Sequence, residues 1–114
     1  MLNSKYRFHS RGGVKHTYLS GKTIRRPEAS LIFAPNSRGC NRFAVVVSKK
    51  VYKSAVARNR IRRRVYEALR LDLNRLLQFP RDYIFVIYDR KVKDLPFADL
   101  QKLLRSLYEE SMLQ

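Results

Sequence analysis

From Ser54 to Leu77 the chain runs without a glycine or a proline, and it carries apolar residues at positions 57, 61, 65, 68, 69, 73 and 76. Steps of three and four mark an amphipathic helix, and Pro80 ends it. A helix with one apolar stripe must lay that stripe on something. The run Tyr83 to Tyr88, YIFVIY, supplies the surface. It is β-branched or aromatic throughout and bounded by charge, the pattern of a central strand buried on both faces.

The remaining elements follow from turn residues. Ala29 to Ala34 and Arg42 to Val47 are rich in β-formers, and Pro35-Asn36-Ser37-Arg38-Gly39 between them predicts a hairpin. Ile24 to Arg26 forms a further short strand ahead of Pro27. Val14, Tyr18 and Leu19 suit a short helix that Gly21 ends as a left-handed cap, and residues 1–12 read as a basic arm. Pro96 opens a last helix with a stripe through Phe97, Leu100, Leu103, Leu104, Leu107 and Tyr108. With 114 residues, 45% of them hydrophobic, the chain makes one domain. The order predicts an α+β fold, a two-layer α/β sandwich with helices covering one face of a small sheet.

The polar side of the long helix carries the functional signal. At about 100° per residue, Asn59, Arg60, Arg62, Arg63 and Arg64 lie off the apolar stripe and form a ridge of guanidinium groups. Arg58 falls inside the apolar sector, so it is partly buried or paired. No acid interrupts the run, and arginine forks pair bidentately with phosphate oxygens. The formal charge is +16. Residues 1–70 hold 18 Lys+Arg against Glu28 and Glu67, whereas residues 71–114 hold seven of each sign. That asymmetry calls for a polyanionic partner, either a nucleic acid or an anionic membrane surface. Lys49 and Lys50, between a strand and the helix, are placed to touch phosphate. Tyr18, Phe33 and Phe43 are candidates to stack unpaired bases, although each also suits a core.

Other classes find no support. No apolar run approaches the roughly 20 residues that span a bilayer. The first residues lack the apolar core of a secretory signal, which points to a cytoplasmic location and no membrane. Cys40 is the only cysteine and sits in turn-like surroundings. His9 and His16 flank Gly12-Gly13 with no carboxylate close in sequence, so no protein-borne catalytic group is expected. Asp82, Asp89, Asp94 and Asp99 are spaced for solubility and not for a metal. Asn59 either orders a metal-bound water or makes a hydrogen bond to the helix start or to RNA.

The stretch SKKVYKSAVARNRIRRRVYEALR, Ser48 to Arg70, closely resembles the signature of the bacterial ribonuclease P protein subunit. Its core is Arg58-Asn59-Arg60, preceded by Ser48-Lys49-Lys50 and Ala55, and the order of elements along the chain is the family's. The resemblance implies a fold like the second domain of ribosomal protein S5, with a left-handed β-α-β crossover. It implies a monomeric protein that binds a catalytic RNA and assists removal of the 5′ leader from precursor tRNA, with Mg²⁺ held mainly by the RNA. The RNA-binding residues it implies are Ser48, Lys49, Lys50, Lys53, Arg58, Asn59, Arg60, Arg62, Arg63 and Arg64. A leader-binding cleft would draw on Val14, Tyr18, Phe33 and Phe43. Two positions depart from the pattern: Tyr66 stands where a basic residue is common, and Val14 where an aromatic is. A ribosomal or other structural RNA-binding protein is the alternative. A DNA-binding helix regulator is disfavoured because no tight helix-turn partner precedes the arginine helix.

Overall fold

The computed structural model describes residues 6, 7, 17, 20–36, 41–76 and 80–113. Strands β1 (Lys22–Arg25), β2 (Ala29–Pro35) and β3 (Arg42–Val47) precede a long helix α1 (Ala55–Leu71) and a single-turn helix α2 (Leu73–Leu76). Strand β4 (Arg81–Ile87), a 3-10 helix (Arg90–Asp94) and helix α3 (Phe97–Met112) complete the described chain.

The sheet has the order β1-β2-β4-β3. The hairpin expected between β2 and β3 is therefore absent: β4 lies between them, antiparallel to β2 and parallel to β3. Its apolar run explains the placement, since a strand with two apolar faces is stabilised most where both neighbours and both layers cover it. Separating two strands that are neighbours in sequence costs little, because loop-closure entropy grows only logarithmically. The parallel β3-α1-β4 connection is the β-α-β unit that the resemblance implies. Arg42 fixes its register, giving Asp82 two bonds of 2.8 and 2.7 Å while Asn36 adds one of 2.9 Å. The short strand before Pro27 forms as expected, and β1 turns into β2 through an Arg26 N–H bond to the Ala29 carbonyl.

Alternation divides the sheet into two faces. Leu31, Phe33, Phe43, Val45, Tyr83 and Phe85 pack with Ile61, Val65 and Leu69 of α1 and Leu100, Leu104 and Leu107 of α3. Ile32, Ala44 and Ile84 form a smaller cluster on the other face, joined by Val46 and Val86.

The long helix is interrupted. Leu71 ends α1, and Asp72 turns its carboxylate to α3, where Arg105 donates at 2.7 and 2.9 Å and the Tyr108 hydroxyl at 2.9 Å. Hydrophobic periodicity continues through the break, so the apolar pattern alone reads as one helix. Tyr66 is buried, packing in the core instead of thinning the basic ridge. Burial raises its phenol pKa despite a hydrogen bond with the Val45 backbone.

Two expectations at the N-terminal side also change. Tyr6 and Arg7 lie within the expected arm, yet Arg7 bridges Phe43 beside β3 and Tyr6 packs against the core. The open edge of β3 offers backbone partners that a polar tally does not reveal. Gly21 closes a turn from Thr17 through a 2.8 Å bond but lies outside the left-handed region. Glycine is needed there because a Cβ would sit 2.5 Å from the Thr17 carbonyl oxygen and 2.9 Å from that of Phe33. The body of the short helix expected around Val14, Tyr18 and Leu19 lies outside the described residues, as do His9, His16 and Cys40.

Candidate nucleic-acid interface

The loop between β3 and α1 is a compact turn. Ser48 accepts from the N–H groups of Val51 (3.0 Å) and Tyr52 (3.2 Å) on its carbonyl, and from Lys50 (3.1 Å) on its hydroxyl. The Ser48 side chain is thus engaged in shaping the turn, which leaves Lys49, Lys50 and Lys53 exposed around it. Ser54 caps α1 by accepting from the Ala57 N–H at 3.3 Å. No acid stands in the first turn.

The arginines of α1 separate into two groups. Arg60 and Arg63 are exposed, and neither has a partner among the described residues. Arg62 donates to the Asn59 side chain at 2.7 Å, one helical turn back, so Asn59 orients a guanidinium at the helix surface. Arg58 behaves as its wheel position requires: half-buried, it donates to the carbonyls of Tyr52 (2.8 Å) and Lys53 (2.9 Å) and ties the turn to the helix. Arg64 does not join the solvent-facing ridge. Its guanidinium is held by the carbonyls of Val92 (3.0 Å), Lys93 (2.7 Å) and Leu95 at the end of the 3-10 helix. A helical wheel places Arg64 on the polar side but carries no information about the neighbouring backbone that occupies it.

That 3-10 helix adds cations which the charge tally concealed. The Arg90 guanidinium lies 5.5 Å and the Lys93 ammonium 5.8 Å from the Tyr52 ring centroid, and the Tyr52 hydroxyl donates to the Arg90 carbonyl. Lys91 is exposed next to them. The local signal was present in Asp89-Arg90-Lys91-Val92-Lys93, three cations in four residues just after a strand. Averaging over residues 71–114 hid it, because seven acids, Asp89 and Asp94 at the ends of this run among them, cancel its charge in the tally. Arg90 and Lys93 of the 3-10 helix thus meet the turn before α1 at Tyr52, whose carbonyl Arg58 engages from α1.

Of the two readings open for Phe33 and Phe43, the core one is met, and Phe33 also lines a groove of about 270 Å³ with Ser20, Lys22, Pro35 and Arg81. Both are buried on the helix-facing side of the sheet, with Phe43 stacked on Tyr83 at 5.4 Å between centroids and the Arg81 guanidinium 5.2 Å from the Phe33 ring. Strand register decides this, and their sequence neighbours do not. The opposite face instead carries a groove of about 310 Å³ lined by Thr23, Arg25, Ser30, Ile32, Val86 and Tyr88. Val14 and Tyr18 lie outside the described residues.

Of the four aspartates expected to serve solubility, Asp94 and Asp99 are exposed, whereas Asp82 and Asp89 are committed to structure. Asp82 is locked by Arg42 and Asn36, and Asp89 caps the 3-10 helix by accepting from the Lys91 N–H at 2.8 Å. Among the described residues no three His, Cys, Asp or Glu side chains gather to hold a metal. None of the described helices is long and apolar enough to cross a membrane.

The Ribonuclease P family model matches residues 2–111. The chain belongs to the ribonuclease P protein family. It is 38% identical over 112 residues to the Ribonuclease P protein component of Chloroflexus aurantiacus, covering 98% of this chain and 82% of that protein. The component from Caldanaerobacter subterraneus is 34% identical over 99 residues, or 87% of this chain and 83% of its relative. The fold is that of solved ribonuclease P proteins. The Staphylococcus aureus protein superposes with a TM-score of 0.79 at 21% identity, covering 93% and 94% of the two chains. The Thermotoga maritima protein gives 0.78 at 20% identity, covering 90% and 96%. Membership makes this chain the protein component of an endoribonuclease ribonucleoprotein, and an RNA partner comes with that role.

Proposed function

We propose that this protein grips the catalytic RNA of ribonuclease P through the turn at 48–53 and the first half of α1, and that it assists removal of the 5′ leader from precursor tRNA. The observation that carries the reading is a pair of exposed arginines without described partners, Arg60 and Arg63. Lys49, Lys50 and Lys53 stand beside them at an acid-free helix start. A helix N-terminus already favours anions, and these side chains extend that field over several phosphates. Arg58 and Ser48 shape the turn, while Asn59 aims Arg62.

The leader of precursor tRNA lies on the sheet face opposite α1 and α3. There Tyr88 is 40% exposed beside Arg25, Thr23 and Ser30 in the groove, an aromatic with cation and hydroxyl neighbours suited to an unpaired strand. The Tyr88 hydroxyl bonds to Ser30 at 3.1 Å and to the Arg26 and Ala29 carbonyls, which fixes the ring. The hydrolysis belongs to the RNA with its Mg²⁺, the role that the family resemblance implies. The protein works as a monomer in the cytoplasm.

Cleavage of precursor tRNA by ribonuclease P RNA, measured with and without the protein, tests this. The protein alone should cut nothing, yet lower the Mg²⁺ requirement and the substrate KM of the RNA. Cleavage by protein alone, or no effect on the RNA, refutes the reading. Tyr88→Ala and Tyr18→Ala should each weaken leader-bearing substrate only; equal losses with leaderless tRNA exclude them from the leader site.

A further inference from the structure

Arg64 lies in the arginine run yet points its guanidinium at backbone. It donates to three carbonyls at the C-terminal end of the 3-10 helix, those of Val92, Lys93 and Leu95. The end of a helical turn presents carbonyl oxygens with partial negative charge, and a planar guanidinium fork satisfies several of them from one direction. An ammonium group is a compact point charge and cannot span them in the same way. Opposite this clamp the 3-10 helix starts on an Asp89 cap, and Arg90 and Lys93 are drawn against the Tyr52 ring. Tyr52 is itself tied to α1, because its carbonyl accepts from Arg58 at 2.8 Å. The 3-10 helix is thus fastened at two points. Arg64 holds its end to the middle of α1, and Tyr52 holds its beginning to the turn before α1.

We propose that Arg64 is a positioning residue that never meets phosphate: it holds the 3-10 helix so that Arg90, Lys91 and Lys93 extend the RNA-gripping surface of α1 as one rigid patch. The inference rests on the functional reading above. It adds that charge at position 64 matters less than the three-carbonyl grip, and that three cations from the net-neutral half of the chain belong to the interface.

Binding of the full-length protein to ribonuclease P RNA, titrated with salt, tests it in a double-mutant cycle. The variants are Arg64→Lys, the pair Arg90→Ala with Lys93→Ala, and all three together, at a temperature where circular dichroism shows each one folded. The pair should weaken binding roughly tenfold and reduce the salt slope by about two units, one for each phosphate left without its cation. Arg64→Lys conserves charge, yet should weaken binding about three- to tenfold and lower the slope by about one unit, as the freed cations lose their places. The triple variant should be little weaker than the pair, because the grip then has only Lys91 left to position. Additive losses, with the slope retained in Arg64→Lys, mean that Arg64 touches RNA directly and overturn the proposal. An unchanged affinity in Arg64→Lys, or in the pair, overturns it as well. Failure of the wild-type protein to bind the RNA at all would sink the functional reading itself, and so is distinguishable from these outcomes.

Discussion

Replacing Arg60 or Arg63 by alanine separates charge that faces RNA from charge that builds the protein. Six cations stand free or at the surface of α1 and its leading turn: Lys49, Lys50, Lys53, Arg60, Arg62 and Arg63. If each neutralises one phosphate of duplex-like RNA, these six contribute about −5.4 to the slope of log K against log salt, at about 0.9 per phosphate. Between 50 and 200 mM salt these six alone lower the affinity about 2,000-fold, and five of them about 500-fold. Arg60→Ala and Arg63→Ala should each show this flattening. Their stability should stay within about 0.5 kcal/mol of wild type, since neither side chain has a described partner to lose. Arg58→Ala should do the reverse. Losing the bonds to the Tyr52 and Lys53 carbonyls costs about 1–2 kcal/mol, a fall of roughly 4 to 8 °C in Tm for a domain of this size, with less change in slope. Filter binding across a salt series and thermal unfolding by circular dichroism read the two quantities independently. An unchanged slope in Arg60→Ala and Arg63→Ala, together with a one-unit drop and no loss of stability in Arg58→Ala, would refute the assignment.

Phe43→Ala should cost about 3–5 kcal/mol by emptying a fully buried site, and at a temperature where the variant remains folded it should leave discrimination between leader-bearing and leaderless tRNA intact. Gly21→Ala should destabilise the fold, since its methyl group meets two backbone carbonyl oxygens at under 3 Å; chemical denaturation would show a lower midpoint with an unchanged m-value. Asp72 carries a carboxyl pKa lowered chiefly by its hydrogen bonds from Arg105. The linkage therefore stabilises the folded state above the ordinary carboxylate pKa near 4 and fades as pH falls through the lower native value. Asp72→Asn should reduce stability by about 2 kcal/mol at neutral pH and flatten the acid limb of a stability–pH curve, whereas an undiminished acid limb would remove Asp72 from that role.

The elements legible in the sequence are those with a one-dimensional cause. The stripe of α1, the YIFVIY strand and the stripe of α3 announce themselves by period and composition, and all three form. The order of strands has no such local cause. Two β-rich segments joined by Pro-Asn-Ser-Arg-Gly satisfy every rule for a hairpin, yet a third strand with two apolar faces displaces that pairing from a distance of more than 30 residues. The same limit governs the candidate site. Arg60 and Arg63 are legible because they face away from everything, so a wheel suffices. Arg64 and Phe43 are not, because backbone from the 3-10 helix and strand register decide their surroundings. Arg90 and Lys93 were in plain view, but their relevance depends on Tyr52, some 40 positions earlier.

The acids explain where the surplus charge is left. Arg42 pairs with Asp82, Arg105 with Asp72, Arg26 with Glu110, Arg75 with Glu109 and Arg70 with Glu67. These pairs lie at the sheet end, along α3 and at the C-terminal part of α1; among the described residues none reaches α1 ahead of Glu67. The Glu67 carboxyl, held down to about 2 chiefly by Arg70, marks that boundary. Ahead of it, cations crowd the positive end of the helix dipole, an arrangement that disfavours the isolated fold. The cost is relieved when phosphate occupies the surface, so a polyanion that binds the folded state alone must raise its Tm. Wild-type protein should therefore gain stability from added RNA or inorganic polyphosphate, and Arg60→Ala with Arg63→Ala should gain less while starting from an equal or higher Tm in low salt. A starting Tm well below wild type would mean that these arginines support the fold, and the functional assignment of α1 would then have to be withdrawn.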